Sequence, residues 1–298
     1  MVGIWSRTST RINRLILEEV SVLESARSFV SGLDPLDWWI VAFLVIGLAT
    51  AWGTGYFKAR KIQKKGTKWQ IVRHEVMWAT INIVVSAFTL GALKTYLTGQ
   101  GYILFNPEPA PWWVIGAEFT IYFFLFDTWF YWGHRLMHME PIYTWTHKTH
   151  HFSTTVTPLS SLSVNPIEAF INGSFTPLFY VVVTLLAGGL FGISPVHSPT
   201  VALIMISTIL MGFYVHSGFE FLPRWWNKSW LTKWFISATF HDQHHQYFIG
   251  NFGGYTTIWD RLCGTLRKNF EKDFEEITSR PLEGIARRRG VNDPAHEP

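Results

Sequence analysis

Apolar and polar residues alternate in long blocks along this chain. Five apolar runs dominate, at residues 38–57, 76–97, 112–133, 167–191 and 200–215. A helix rises 1.5 Å per residue, so about 20 residues cross a hydrocarbon core about 30 Å thick. The first three runs meet that length. The last two are separated only by the turn GISPVHSP, with Pro195 and Pro199, and predict a helical hairpin that need not cross fully. The pattern predicts an all-α integral membrane bundle of four to five membrane helices. Trp38, Trp39, Trp112 and Trp113 fall at span ends, where interfacial aromatics belong. In RWWNKSWLTKWF, Trp226, Trp230 and Trp234 recur every four residues beside Lys228 and Lys233, which predicts a helix lying among headgroups, or else a Trp-rich core helix.

The flanks divide the chain into three parts. Residues 1–36 mix Arg7, Arg11, Arg14 and Arg27 with Glu18, Glu19, Glu24 and Asp34, an amphipathic segment without the apolar core or cleavage site of a secretory signal. Residues 37–270 form the membrane-embedded domain, and 271–298 read as a polar tail. Hydrophobic residues are 48% of the chain and charged residues 15%, well under the usual quarter for soluble domains, so the apolar excess belongs in lipid. The single Cys263 excludes an internal disulfide and any Cys-rich metal site.

Charge sets the orientation. Lys58, Arg60, Lys61, Lys64, Lys65, Lys68 and Arg73 crowd the first connection with no acid among them, whereas residues 98–111 contain no Lys or Arg. By the positive-inside rule the first connection is cytoplasmic and the second faces away. The net charge of +4 thus lies beside apolar spans, which favours a bilayer partner and argues against nucleic acid. The third run then returns to the cytoplasm, in a bacterial inner membrane or an endoplasmic reticulum. There a His-rich helical cap is expected.

The chemistry is carried by histidine. His134 and His138 stand four apart; His147, His150 and His151 make one H-x-x-H-H, and His241, His244 and His245 make another. With 12 histidines in 298 residues, one such five-residue pattern arises by chance roughly 0.02 times per chain, so two are a strong signal. The orientation argument puts all three clusters, and His216 at the end of the hairpin, on one face. Eight clustered histidines exceed the four ligands of a tetrahedral zinc and suit two metal ions with open positions; with His216 there are nine. Imidazole alone does not name the metal. Asp127, two turns below His134, reads as the acceptor for the ring N–H of a ligating histidine, the alternative being a structural bond to Tyr131 or a Trp indole. Glu220, one turn past His216, could add a ligand directly or through water. His134-Arg135-Leu136-Met137-His138 lacks the glutamate of a zinc protease, and ligands beyond the span ends do not suit a metal transporter. His74, His197 and His296 read as bystanders, and Arg287-Arg288-Arg289 as a solvated run.

These motifs resemble the fatty acid hydroxylase/sterol desaturase superfamily over residues 70–270. FDTWFYWGHRLMH looks like its first histidine box, and HHQYFIGNFGGYTTIWDRLCGTL like its last box and tail, most similar to sterol C-5 desaturases and their bacterial relatives. Asn165-Pro166-Ile167-Glu168 departs from the His-Pro-x-Glu often found there. The resemblance implies two iron ions, O2 as co-substrate, and hydroxylation or desaturation of a C–H bond in a membrane lipid, sterol or fatty acyl/sphingoid. It also implies electrons from NAD(P)H through a separate donor, a b-type cytochrome or a ferredoxin with its reductase. A carotenoid hydroxylase of the same chemistry, a zinc-dependent membrane hydrolase and a non-catalytic metal-binding membrane protein are the alternatives.

Overall fold

The computed structural model describes residue 55 and residues 57–282. The expected N-terminal amphipathic segment, nearly all of the first apolar run, the arginine run at 287–289 and His296 lie outside the described residues. The chain divides into two compact units, Met1–Leu48 and Ala49–Pro298, and the described residues belong to the second.

No strand occurs among the described residues; three isolated bridges are the only β pairing. Among the described residues, three helices are long and apolar enough to cross a membrane: α1 (Trp69–Gly99), α3 (Pro166–Phe191) and α4 (Ser198–Val215). Between them runs α2 (Trp112–Met137), 26 residues and so about 39 Å long. Glu118, Asp127 and its tryptophans lower its mean hydropathy. Three shorter helices follow: α5 (Ala238–Tyr247), α6 (Ile258–Leu262) and α7 (Phe270–Ser279).

Each long helix buries one stripe and leaves the rest apolar and exposed. On α1 the buried residues are Ile71, Glu75, Ala79 and Asn82, a spacing of four, four and three that keeps them on one face. That face grips the segment after the second histidine cluster: Glu75 accepts from Thr157 Oγ1 at 2.6 Å and Ser160 Oγ at 2.5 Å, and Asn82 Nδ2 donates to the Leu162 carbonyl at 3.0 Å. Val76, Met77, Ile83, Val84 and Phe88 point away from the protein. On α2 the buried stripe is Tyr122, Phe126, Asp127, Tyr131, His134 and Met137. Its lower half packs against Phe175, Phe179, Ile204 and Tyr255. At the opposite end from the histidines, Glu118 joins α2 to the turn before α4, accepting from the His197 ring at 2.7 Å and Thr200 Oγ1 at 2.5 Å. His197 therefore has a structural job.

Residues beyond α4 build a cap on a second core of Val215, Ile236, Phe240, Phe270 and Phe274. The cap runs past residue 270, because α7 turns Phe270, Phe274 and Ile277 inward. The basic segment before α1 is strapped to it: Ile62 N–H donates to the Gly218 carbonyl at 3.0 Å, and Arg60 donates to the Leu222 and Thr278 carbonyls, each at 3.0 Å. The expected Trp226–Trp234 helix is instead two short turns, Trp226–Lys228 and Thr232–Trp234, separated by extended Ser229. The Ser229 hydroxyl accepts from the amides of Leu231 and Thr232, which offers the backbone a partner outside a helix. Trp225, Trp230 and Leu231 remain exposed.

The tail motif Asn251–Tyr255 folds back under α2. Asp260 takes the amides of Phe252 and Gly253 at 2.9 and 2.7 Å, and a Cβ on Gly253 would drive into the Thr256 carbonyl. Gly253→Ala is therefore expected to cost about 1–3 kcal/mol. A thermal melt of the detergent-solubilised protein, with Gly116→Ala on an open helix surface as control, checks it.

Candidate metal centre

Helical geometry explains how three short motifs make one centre. His134 and His138 share a face at the end of α2. The next four-residue turn, Ile142–Trp145, hands the chain to His147, whose carbonyl accepts from the His151 amide at 3.2 Å. His147 and His151 therefore point together. Neighbours on a helical backbone diverge by about 100°, so His150 and His151 aim at different places. The same holds on α5, where His241 and His245 pair and His244 turns aside. Each H-x-x-H-H thus serves two sites at once.

The result is two pockets. His134, His138, His147, His151 and His244 form one, and His150, His216, His241 and His245 the other, with the ligand atoms of each group within 4.8 Å of one another. Eight of the nine rings are buried and His138 is half-buried. In the five-histidine pocket, Nε2 of His134 lies 2.9 Å from that of His147, and Nε2 of His138 lies 3.2 Å from those of His244 and His151. In the four-histidine pocket, His216 Nε2 lies 2.9 Å from His241 and 3.4 Å from His150, and His241 lies 3.2 Å from His245.

Proton placement tests whether these pockets suit cations. Nδ1 of His134, His244, His150, His216 and His245 faces the carbonyl of Phe252, Gly250, Ser163, Gly212 and Ser153, at 2.7 to 3.3 Å. A carbonyl only accepts, so these Nδ1 atoms carry the proton and their Nε2 atoms present bare lone pairs. His150 and His216 then face each other lone pair to lone pair. Protonating the rings is opposed by burial, which lowers His150 to about 4 and His216 to about 3 and holds His147, His151, His241, His244 and His245 well below the ordinary value. A metal–nitrogen bond of about 2.1 Å places adjacent ligand nitrogens about 3.0 Å apart at right angles and about 3.4 Å apart at the tetrahedral angle. The observed spacings span that range, so both pockets fit a transition-metal ion.

The carboxylates rearrange the expected roles. Asp127 reaches no imidazole. It accepts from the amides of Tyr255 and Thr256 at 2.8 and 2.9 Å and from Thr256 Oγ1 at 2.5 Å, so it pins the tail under α2. Glu220 is absent from both pockets: Thr239 N–H and Oγ1, Leu222 N–H and Tyr214 O–H occupy its oxygens. It anchors the start of α5 and so the aim of His241. The carboxylate beside a pocket histidine is Glu168, whose Oε1 lies 2.8 Å from His147 Nδ1. Sequence reasoning passed over Glu168 as part of Asn165-Pro166-Ile167-Glu168. Asn165 caps α3 by accepting from the Ile167 amide at 2.9 Å, and that cap sets Glu168 in the first turn. Asp242, between the box histidines, accepts from Gln63 Nε2 at 2.9 Å and is pushed up to about 7 by burial. His74 stacks on Phe152, ring centroids 4.1 Å apart, outside both pockets.

Comparison with known proteins agrees with this geometry. Residues 119–265, which include all nine histidines, match the family model described as Fatty acid hydroxylase. A methylsterol monooxygenase of Aspergillus fumigatus is 30% identical over 216 residues, covering 71% of this chain and 69% of the relative. A very-long-chain aldehyde decarbonylase of Oryza sativa subsp. indica is 31% identical over 74% of this chain and 77% of its own length. Methylsterol monooxygenase 1 of Gallus gallus is 32% identical, but the chain spans only about half that relative, 53%. No solved structure matches the chain.

Two measurements test the centre. For metal-stripped protein, His138 and His150, both lowered to about 4, and His216, lowered to about 3, resist protons that their unfolded forms accept below 6.5. Their contribution is intact above pH 6.5 and is lost as pH falls toward 4 and then 3. Asp242, Glu220 and Asp260, raised by burial, act in the opposite sense but are outnumbered by the eight lowered imidazoles of His138, His147, His150, His151, His216, His241, His244 and His245. The thermal midpoint should therefore drop between pH 7 and 5; a flat profile contradicts the buried neutral rings. Glu168→Gln should weaken metal retention by roughly 10–100-fold, read by competition with a chelator.

Proposed function

This chain belongs to the fatty acid hydroxylase family and is a membrane oxidoreductase acting on lipid, and from that premise we propose that it holds two iron ions and uses O2 to oxidise a C–H bond of a membrane lipid. The observation that carries the reading is the division of nine converging imidazoles into pockets of five and four. Bound iron supplies the electrons and open coordination positions with which dioxygen is activated. His134, His138, His147, His151 and His244 hold one ion, and His150, His216, His241 and His245 the other.

The other residues position and insulate. The rings of Phe252 and Phe130 lie 5.0 Å from His138 and 5.2 Å from His134, which keeps bulk water from the five-histidine pocket. Carbonyl acceptors at Phe252, Gly250, Ser163, Gly212 and Ser153 fix five ring tautomers, and Glu168 orients His147. Asp127 and Glu220 keep the tail and α5 in place without touching the reacting groups. The overall reaction joins a lipid C–H bond, O2, two electrons and two protons to give an alcohol and water. The reducing equivalents come from NAD(P)H through a separate protein donor. The basic segment at 58–73 supports a cytoplasmic cap through the positive-inside rule, on the side where such a donor is found.

The similarity to methylsterol monooxygenases makes a methyl-bearing sterol the first substrate to test, and the similarity to aldehyde decarbonylases makes a long-chain aldehyde the second. Elemental analysis and Mössbauer spectroscopy of iron-grown, detergent-purified protein should give two irons per chain with an exchange-coupled signature. One zinc, or none of either metal, refutes the proposal. His244→Ala and His147→Ala should each lose metal and all O2-dependent lipid oxidation; activity surviving either substitution removes that residue from the ligand set.

A further inference from the structure

The backbone after the last histidine box is strained at a residue that sequence composition alone would not favour there. Phe248 ends α5 with φ 62° and ψ 2°, the left-handed region that glycine usually fills at a helix C-terminus. A bulky side chain there is an outlier that calls for a reason. The surrounding chain holds it in place. Phe248 N–H donates to the His244 carbonyl at 2.8 Å, Arg267 donates to the Ile249 carbonyl at 3.0 Å, and its guanidinium lies 3.9 Å over the Tyr247 ring. Gly250 is tight against Thr265.

What that conformation achieves is a specific placement. The Phe248 ring stands edge-to-face on His151, centroids 4.8 Å apart. His138 is the one pocket histidine that is not fully buried. Tyr143 lies 5.6 Å from the His138 ring and 6.1 Å from His151, on the same pocket. The chain neighbours of His138 and of the last histidine box are apolar and exposed here: Met139 at 59%, Ile249 at 74%, and Phe248 itself at 36%. A hydrated surface has no use for such a group, whereas a hydrocarbon chain does.

We infer that Phe248 is the wall of an apolar mouth through which ligands reach the five-histidine pocket at His138, and that this mouth admits a hydrocarbon segment in preference to a hydrated solute. The inference rests on the two-pocket metal reading. The Phe248 N–H bond to the His244 carbonyl survives a change to Gly or Trp, so the ring alone is under test. Phe248→Gly removes the ring and relieves the backbone, which separates a gating role from a folding role; Phe248→Trp enlarges the wall.

The test uses the full-length protein in detergent. Metal loss to neutral 2,2′-bipyridine and to charged EDTA is timed for wild type, Phe248→Gly and Phe248→Trp. In parallel, diethyl pyrocarbonate labelling of the metal-stripped proteins is mapped by mass spectrometry. Wild type should yield metal faster to bipyridine than to EDTA. Phe248→Gly should keep a thermal midpoint at or above wild type, lose metal roughly tenfold faster, and label faster at His138 and His151 alone, as expected when local access and not global unfolding is limiting. Phe248→Trp should slow both readouts. Equal labelling of His138 and His151 in all three proteins overturns the inference, as does a uniform rise at every pocket histidine. Wild-type protein that carries no metal refutes the metal reading instead, and the labelling comparison still decides the role of Phe248.

Discussion

Bare nitrogen lone pairs turned toward one another in a buried space are the constraint on which this molecule is built. Left alone, such an arrangement is repulsive, and burial opposes the protons that would relieve it. Cations bound there would resolve the conflict. The two pockets also cannot form separately, because His150 and His151 leave one turn of chain for different pockets, as do His244 and His245 on α5. A shift of either segment disturbs both sites together. That explains the effort spent on fixing those segments: Glu75 and Asn82 grip the chain after His151, while Glu220, through Thr239, fixes the start of α5.

Charge completes the argument. Nine neutral imidazoles bring no negative charge to offset the two cations proposed for their pockets. The buried carboxyl groups lie elsewhere in the fold: Glu75, Asp127, Glu168, Glu220, Asp242 and Asp260. Only Glu168 touches a pocket ring. The others are occupied by amides and hydroxyls and hold the loops. Without cations, burial raises Glu220, Asp242 and Asp260 above the usual carboxylate range. Positive charge in the pockets acts the other way and favours their ionised forms. One set of side chains thus meets both the mechanical and the electrostatic need.

The convergence of the histidines was legible in the sequence because helical spacing carries it: residues four apart share a face, whatever the tertiary context. His216 was legible only through the topological argument that returns the hairpin to the same face, and it lies 2.9 Å from His241. The partners of the boxes were not legible. Asp127 sits two turns from His134 on the same helix face, yet it turns to the Tyr255 and Thr256 amides, 128 and 129 residues away, a contact with no local signature. Glu168 was hidden for the same reason, since its place beside His147 depends on where α3 begins. The Trp226–Trp234 segment shows periodicity misleading: the spacing is helical, but Ser229 breaks the backbone.

The division of labour along the bundle follows from its solvent. Backbone polar groups inside lipid must be satisfied within helices, so irregular, side-chain-rich architecture is confined to regions covered by protein or facing water. The long helices comply by showing lipid an apolar surface and burying one polar stripe each. At one end the stripe closes in a self-satisfied lock of Glu118, His197 and Thr200. At the other, α2 continues past its apolar stretch and brings His134 and His138 to a cap made of loops and short helices. Only there can adjacent imidazoles be splayed into separate pockets, since an uninterrupted span offers one face per helix. The chemistry sits at the bundle's end because that is where the backbone is free to build it.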